Sequence, residues 1–261
     1  MLPGLLIIGA QKAGTTSLYH YLAAHRQVLP GTEKEVRYFN SQYHRGISWY
    51  RSHFPLNRQG RGERLGGDPI TLDASTGYLF SRDAPGRVAA DLPDAKFVVL
   101  LRDPVERAWS HYRHSVRDGH EALPFAEALA AEEKRLEQHY LMCASGDPDD
   151  RVLSFHSYIS RGRYHEQLVR WFSVLDRTRF LILKSEEFFK TPLKTTNEVL
   201  GSLGLSPLVL EGLTIYNAGS NEEIPPKERD LLRTLFEPYN ERLYELLDWP
   251  PDRRWPASDA D

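Results

Sequence analysis

Cysteine is almost missing from this chain. The single thiol, Cys143, leaves no disulfide within the chain and no cysteine-based metal cluster. Cationic excess is missing too: 33 Lys and Arg stand against 36 Asp and Glu, a formal net charge of −3. A general nucleic-acid binder shows a basic balance instead, so nucleic acid is not expected as a partner. No apolar run approaches the ~20 residues that a bilayer-spanning helix needs. No basic stretch followed by a cleavable apolar segment opens the sequence, and the expectation is a cytoplasmic protein without a membrane span. Internal repeats, heptads and low-complexity tracts are lacking as well. Pro and Gly fall between candidate elements, with no linker among them. The 261 residues are therefore expected to form one domain, with about 250–261 as a frayed tail.

What is present begins at once. Leu5-Leu6-Ile7-Ile8 is apolar without alternation, the mark of a strand buried on both faces. Gly9-Ala10-Gln11-Lys12-Ala13-Gly14 is small and polar, and Leu18, Tyr19, Tyr21 and Leu22 then recur at helical spacing. Strand, glycine-bearing turn and helix form the layout that aims free backbone N–H groups and a positive helix end at a phosphate. Thr15, Thr16 and Ser17 add hydroxyls, and Lys12 adds a cation. The plain structural alternative is an ordinary turn with a solvated lysine. The loop is not the nucleotide-triphosphate signature G-x-x-x-x-G-K-[ST], because Lys12 precedes Gly14.

A second apolar run, Lys96-Phe97-Val98-Val99-Leu100-Leu101, ends in Arg102-Asp103-Pro104-Val105-Glu106-Arg107-Ala108-Trp109-Ser110. Arg102 thus stands at the carboxyl end of a strand, where open α/β sheets bind ligands. Pro104 suits the first turn of the next helix. Ser110 lies about two turns on, so both side chains suit one phosphate. Further strands are expected near 70–73 and 180–183, from Ile70-Thr71-Leu72-Asp73 and Phe180-Leu181-Ile182-Leu183. Together they predict a three-layer α/β/α fold on a central parallel sheet. Residues 25–31 read as a turn, 43–58 as an aromatic helix, and 119–151 as a helix and loop without chemistry. Arg107 and Arg113 read as packing or ion-pair residues, and His111 as hydrogen-bonded.

The order Gln-Lys-x-Gly-Thr-Thr-Ser after a hydrophobic strand resembles the 5′-phosphosulfate loop of sulfotransferases that use 3′-phosphoadenylyl sulfate. Arg-Asp-Pro-x-x-Arg-Ala-x-Ser resembles their 3′-phosphate motif. Lys34-Glu35-Val36-Arg37-Tyr38-Phe39 is similar to the heparan-type members, of bacterial type here. The resemblance implies a P-loop-like fold with no metal. The donor would be held by Lys12, Ala13, Gly14, Thr15, Thr16, Ser17, Arg102 and Ser110, with weaker carry-over to Tyr164, Tyr216, Gly219 and Ser220. Glu35 would be the general base and Lys12 would stabilise the leaving phosphate. Where those relatives have a catalytic lysine, this chain has Ala74. That departure and the acidic balance lean towards a small-molecule, lipid or carrier-tethered acceptor over a sulfated glycan. Two other readings compete: a phosphotransferase using ATP and Mg²⁺, and a non-catalytic nucleotide-fold binding protein. Neither the acceptor nor the oligomeric state is legible in the sequence.

Overall fold

Leu5–Gly9 is the strand that its apolar run predicts (β1), and all five residues are buried. The computed structural model describes residues 1–56, 66–144, 151–209 and 222–256. After β1 come helix α1 (Thr15–Ala23) and strand β2 (Val28–Pro30). A π-helical turn at Tyr38–Gln42 leads to α2 (Gly46–Ser52), then β3 (Ile70–Ala74), α3 (Gly77–Phe80), α4 (Ala84–Asp91) and β4 (Lys96–Leu101). Helices α5 (Pro104–Arg117), α6 (Phe125–Ala144), α7 (Arg151–Phe155) and α8 (Tyr164–Phe172) follow. The chain ends with β5 (Phe180–Lys184), α9 (Ser185–Lys190), α10 (Pro192–Ser202) and α11 (Pro226–Leu247).

Five parallel strands form one sheet in the order β2-β3-β1-β4-β5, with β1 at its centre. Helices flank it, as the three-layer expectation requires. Two expectations about the first half of the chain need correction. Residues 25–31 are more than a turn, because Val28–Pro30 pairs with Ile70–Leu72. This strand occupies the sheet edge, the position where proline is tolerated. The aromatic helix at 43–58 is shorter, Gly46–Ser52, preceded by a 3-10 turn at Tyr43–Arg45.

The chain divides into two compact units, each assembled from two segments. The first comprises Met1–Leu101 and Arg170–Ala218, and holds the sheet; the second comprises Arg102–Val169 and Gly219–Asp261. In the first, the sheet core is Leu6, Ile7, Val99 and Leu100 at essentially zero exposure, closed by Leu18 and Leu22 of α1. In the second, Ala108, Ala128, Tyr158, Leu232 and Phe236 pack together. Its tail is not frayed up to residue 256: Pro251–Arg253 forms a 3-10 turn, and Trp255 is buried against Tyr244 and Trp249. Aromatic burial there outweighs the proline- and arginine-rich composition. No helix among the described residues is long and apolar enough to cross a membrane.

The second unit also buries a carboxylate. Glu121 accepts from Arg135 at 2.5 and 3.2 Å, from the Tyr158 hydroxyl at 2.9 Å and from the Leu123 amide at 3.0 Å. Burial pushes the carboxyl up, but these donors and the Arg135 charge outweigh it and hold the group at about 2. A depressed folded-state value contributes stability that is present above the ordinary 4.5 and is lost as pH falls towards 2. Glu121→Gln is expected to flatten the acid limb of stability in that window, measured as urea midpoint against pH.

Candidate functional site

The loop after β1 is shaped by its neighbours. Gly9 lies against Leu79: a Cβ there would meet the Leu79 Cβ at 2.7 Å. Ala10 donates its amide to the Leu100 carbonyl at 2.7 Å, tying the end of β1 to β4. The Ser185 hydroxyl donates to the Ala13 carbonyl at 2.7 Å, so the end of β5 also grips the loop. Gly14 precedes α1 at φ +94°, and an added Cβ would lie 2.6 Å from the Phe189 ring. Both the backbone and the space therefore require glycine there.

Helix α1 starts without a capping side chain and without an acid in its first turn. Its leading amides face the loop side, and the helix dipole adds partial positive charge. Thr15 and Ser17 are buried and Thr16 is half-buried. Lys12 adopts a left-handed conformation, φ +70°, and is half-buried. This is the chemistry of an anion cradle.

Glu35 lies in the segment between β2 and the π-helical turn. Its amide donates to the Ala74 carbonyl at 3.0 Å, extending the carboxyl end of β3. Its carboxylate is held three times. Oε2 accepts the Thr76 amide at 3.0 Å, and Oε1 accepts the Thr76 hydroxyl at 2.9 Å and the Lys34 ammonium at 3.0 Å. A carboxylate offers about four lone-pair directions, so one remains. The side chain is 25% exposed, open to a reactant.

Behind Glu35 lies Asp73, which sequence reasoning passed over. It is 2% exposed. Its Oδ2 accepts the hydroxyls of Tyr50 at 2.8 Å and Tyr78 at 2.9 Å, and its Oδ1 accepts Ser75 at 3.0 Å. Burial pushes the carboxyl up to about 6 against the pull of these hydroxyls. The signal was an ionisable residue inside a strand that otherwise reads as buried, Ile70-Thr71-Leu72-Asp73-Ala74.

Arg102, Ser110 and Tyr164 belong to the second unit. Asp103 caps α5 by accepting the Val105 amide at 2.8 Å. Arg102 lies 3.8 Å from Glu106, with its side chain 30% exposed. Tyr164 is buried, and its hydroxyl donates to the Arg102 carbonyl at 2.9 Å. That contact orients the arginine's backbone. Ser110 is half-buried on α5. His111 is fully buried, with Nε2 donating to the Ser154 carbonyl at 2.8 Å, and Arg107 donates to the Tyr158 carbonyl. Arg113 pairs with Glu222 at 3.0 Å. These three are structural, as their sequence context suggests. Tyr216, Gly219 and Ser220 lie outside the described residues.

The Sulfotransferase domain family matches residues 2–213. The chain belongs to this family. It is 32% identical to bifunctional heparan sulfate N-deacetylase/N-sulfotransferase 3 of Homo sapiens, over 94% of this chain and 30% of that protein. It is 28% identical to heparan sulfate glucosamine 3-O-sulfotransferase 6 of Homo sapiens, over 94% of this chain and 71% of the other. The chain thus spans less than a third of the length of the bifunctional relatives. A crystal structure of a sulfotransferase from Alicyclobacillus acidocaldarius superposes with a TM-score of 0.74 at 29% identity, covering 97% of this chain and 98% of that one.

For a sulfotransferase-family chain, Ala74 is the informative position. Its side chain is buried, 1% exposed, so no cation issues from the end of β3. The ammonium beside Glu35 comes from Lys34 instead. Among the described residues, no His, Cys, Asp and Glu side chains gather in a group of three or more suited to a metal.

Gly14→Ala is expected to destabilise the fold by about 1–3 kcal/mol, combining the left-handed penalty with overpacking. Adding Phe189→Ala should relieve the contact but leave the backbone cost. The check is urea denaturation of the single and double variants.

Proposed function

We propose that this chain is an enzyme that moves a sulfuryl group from 3′-phosphoadenylyl sulfate to a hydroxyl or amine of an acceptor, releasing adenosine 3′,5′-bisphosphate. One observation carries the reading: an anion cradle and an oriented, half-open carboxylate stand at the carboxyl ends of adjacent strands. Lys12 and α1 follow β1, while Glu35 is bonded to the end of β3. Open parallel sheets bind ligands at that edge.

In this proposal the acceptor oxygen or nitrogen attacks sulfur while the sulfur–phosphate oxygen bond breaks. Glu35 takes the acceptor's proton on the lone pair that its three donors leave. Lys12 and the first amides of α1 meet the charge that grows on the departing phosphate. The hydroxyls of Thr15, Thr16 and Ser17, with the Ala13 and Gly14 backbone, complete the 5′ cradle. Arg102 forks onto the 3′-phosphate and Ser110 adds a donor. Tyr164 serves this contact indirectly, by holding the Arg102 carbonyl. None of these roles calls for a metal. The relatives are named for heparan sulfate and its glucosamine. A glucosamine-containing glycan is therefore the first acceptor class to test, ahead of small-molecule, lipid and carrier-tethered hydroxyls.

Three measurements decide it. Calorimetry should find adenosine 3′,5′-bisphosphate bound far more tightly than ATP with Mg²⁺; the reverse order sinks the donor assignment. Glu35→Gln should lower turnover about 10²–10⁴-fold, the usual worth of general-base catalysis, with bisphosphate affinity little changed. Full turnover in that variant, followed with labelled sulfuryl donor, removes Glu35 from the mechanism. Arg102→Ala should weaken the bisphosphate about 10-fold or more, since charge-assisted hydrogen bonds contribute roughly 1.5–3 kcal/mol.

A further inference from the structure

We infer that Asp73 is a positioning residue for the base: its buried carboxylate orders Ser75, Tyr50 and Tyr78, and through them fixes the backbone that carries Glu35. This rests on Glu35 being the base.

The argument follows single protons. The Ser75 hydroxyl has one hydrogen, and it donates that hydrogen to Asp73 at 3.0 Å. Its oxygen is then committed to accepting, and it accepts the Arg37 amide at 3.1 Å. Arg37 is left-handed, φ +56°, two residues after Glu35, itself left-handed at φ +63°. The Asp73–Ser75 bond therefore secures a strained segment. The other oxygen of Asp73 secures it from the far side. Tyr50 donates to Oδ2, and its ring stacks on Tyr38 at 4.5 Å and 11°. Tyr38 follows Arg37 directly. Tyr78 donates to the same oxygen from α3, the short helix that begins just after Thr76. Thr76 holds both oxygens of Glu35. Three hydroxyls converging on one carboxylate thus fix both the loop that carries the base and the turn that orients its carboxylate.

Proton linkage does not favour the ionised form of Asp73. A raised folded-state value contributes stability that is complete below the ordinary 3.8 and is lost as pH rises through about 6. At neutral pH the ionised group gains nothing from that linkage. Glu121 is the contrast, since its depressed value contributes stability across the neutral range. A buried charge kept against its own solvation fits a group retained for geometry near reactive atoms.

The test is a double-mutant cycle on the full chain, with labelled sulfuryl donor and a glucosamine glycan or whichever acceptor the activity screen returns. Asp73→Asn keeps the volume but turns one acceptor oxygen into a donor. It is expected to lower kcat about 10–100-fold, as a misplacement of an ångström does. KM for the acceptor and the affinity for adenosine 3′,5′-bisphosphate should stay within about twofold of the parent. Asp73→Asn added to Glu35→Gln should cost nothing more, because positioning an absent base is without effect. Parental kcat in Asp73→Asn overturns the inference, as does a full additional loss in the double variant. Where Asp73→Asn fails to fold, Ser75→Ala removes the Arg37 link and one donor to Asp73 while leaving both tyrosine donors in place. It is expected to show about a 3–10-fold loss in kcat with the same non-additivity, and a parental kcat there overturns the inference too. If Glu35→Gln itself keeps full turnover, the base assignment has failed first and the role of Asp73 falls with it. A slow Glu35→Gln beside a fast Asp73→Asn leaves the base standing and removes only the positioning role.

Discussion

At the end of β1 the chain has almost no freedom, and the rest of the site depends on that. Residues 10–14 must turn out of a central strand and into a helix while held at four points. Leu79 presses on Gly9, Leu100 takes the Ala10 amide, Ser185 takes the Ala13 carbonyl, and Phe189 closes over Gly14. The wall is built from α3, β4, the start of α9 and its fifth residue, all within the first unit. A helix start held this rigidly keeps its amides pre-aimed, so an anion meets them without reorganisation. Amides that had to be ordered on binding would contribute less, because ordering entropy would offset the electrostatic gain.

The carboxylate side uses a different device. Tyr38, Phe39, Tyr50 and Tyr78 are all buried within 2% exposure and contact one another edge-on or stacked. This aromatic cluster is core packing. Two of its tyrosines also place their hydroxyls on Asp73. A tyrosine is suited to both tasks, with an apolar body to bury and a polar tip that needs a partner. The same cluster that excludes water behind Glu35 therefore supplies the donors that make a buried carboxylate tolerable.

This explains which parts of the molecule were legible beforehand. The strands at 5–9, 96–101 and 180–184 announce themselves as near-continuous apolar runs, and the one at 70–74 stays legible despite Thr71 and Asp73. β2 escaped because three edge residues ending in Pro30 carry no period to detect. The strand, turn and helix start at residues 5–18 were legible because they are consecutive in the chain. Asp73 was not, since its meaning depends on Tyr50, which stands 23 residues earlier in the chain. The contact of Tyr164 with Arg102 is likewise non-local, and spacing alone does not reveal it. The tail misled through composition: Pro250, Pro251, Arg253 and Arg254 suggest a loose end, while Trp249 and Trp255 hold the burial that decides it.

Backbone strain offers an independent view of where the site lies. Among the described residues, four that are not glycine have positive φ: Lys12, Glu35, Arg37 and Asp248. Asp248 follows the last turn of α11, where a left-handed residue is an ordinary way to end a helix. Arg37 opens the π-helical turn and has a local structural role. Lys12 is the third residue of the turn closed by the Ala13 amide on the Ala10 carbonyl, and Glu35 donates its amide to the end of β3. Each costs of order 1–3 kcal/mol, which persists only where surrounding contacts over-determine the conformation. Ser185 and Phe189 supply those contacts around the first loop, Thr76 and the Asp73 cluster around the second. A fold under selection for stability alone would place glycine or asparagine at both positions. Strain borne at a cation on one strand end and at a carboxylate on the next is the arrangement that a leaving phosphate and an incoming nucleophile would demand.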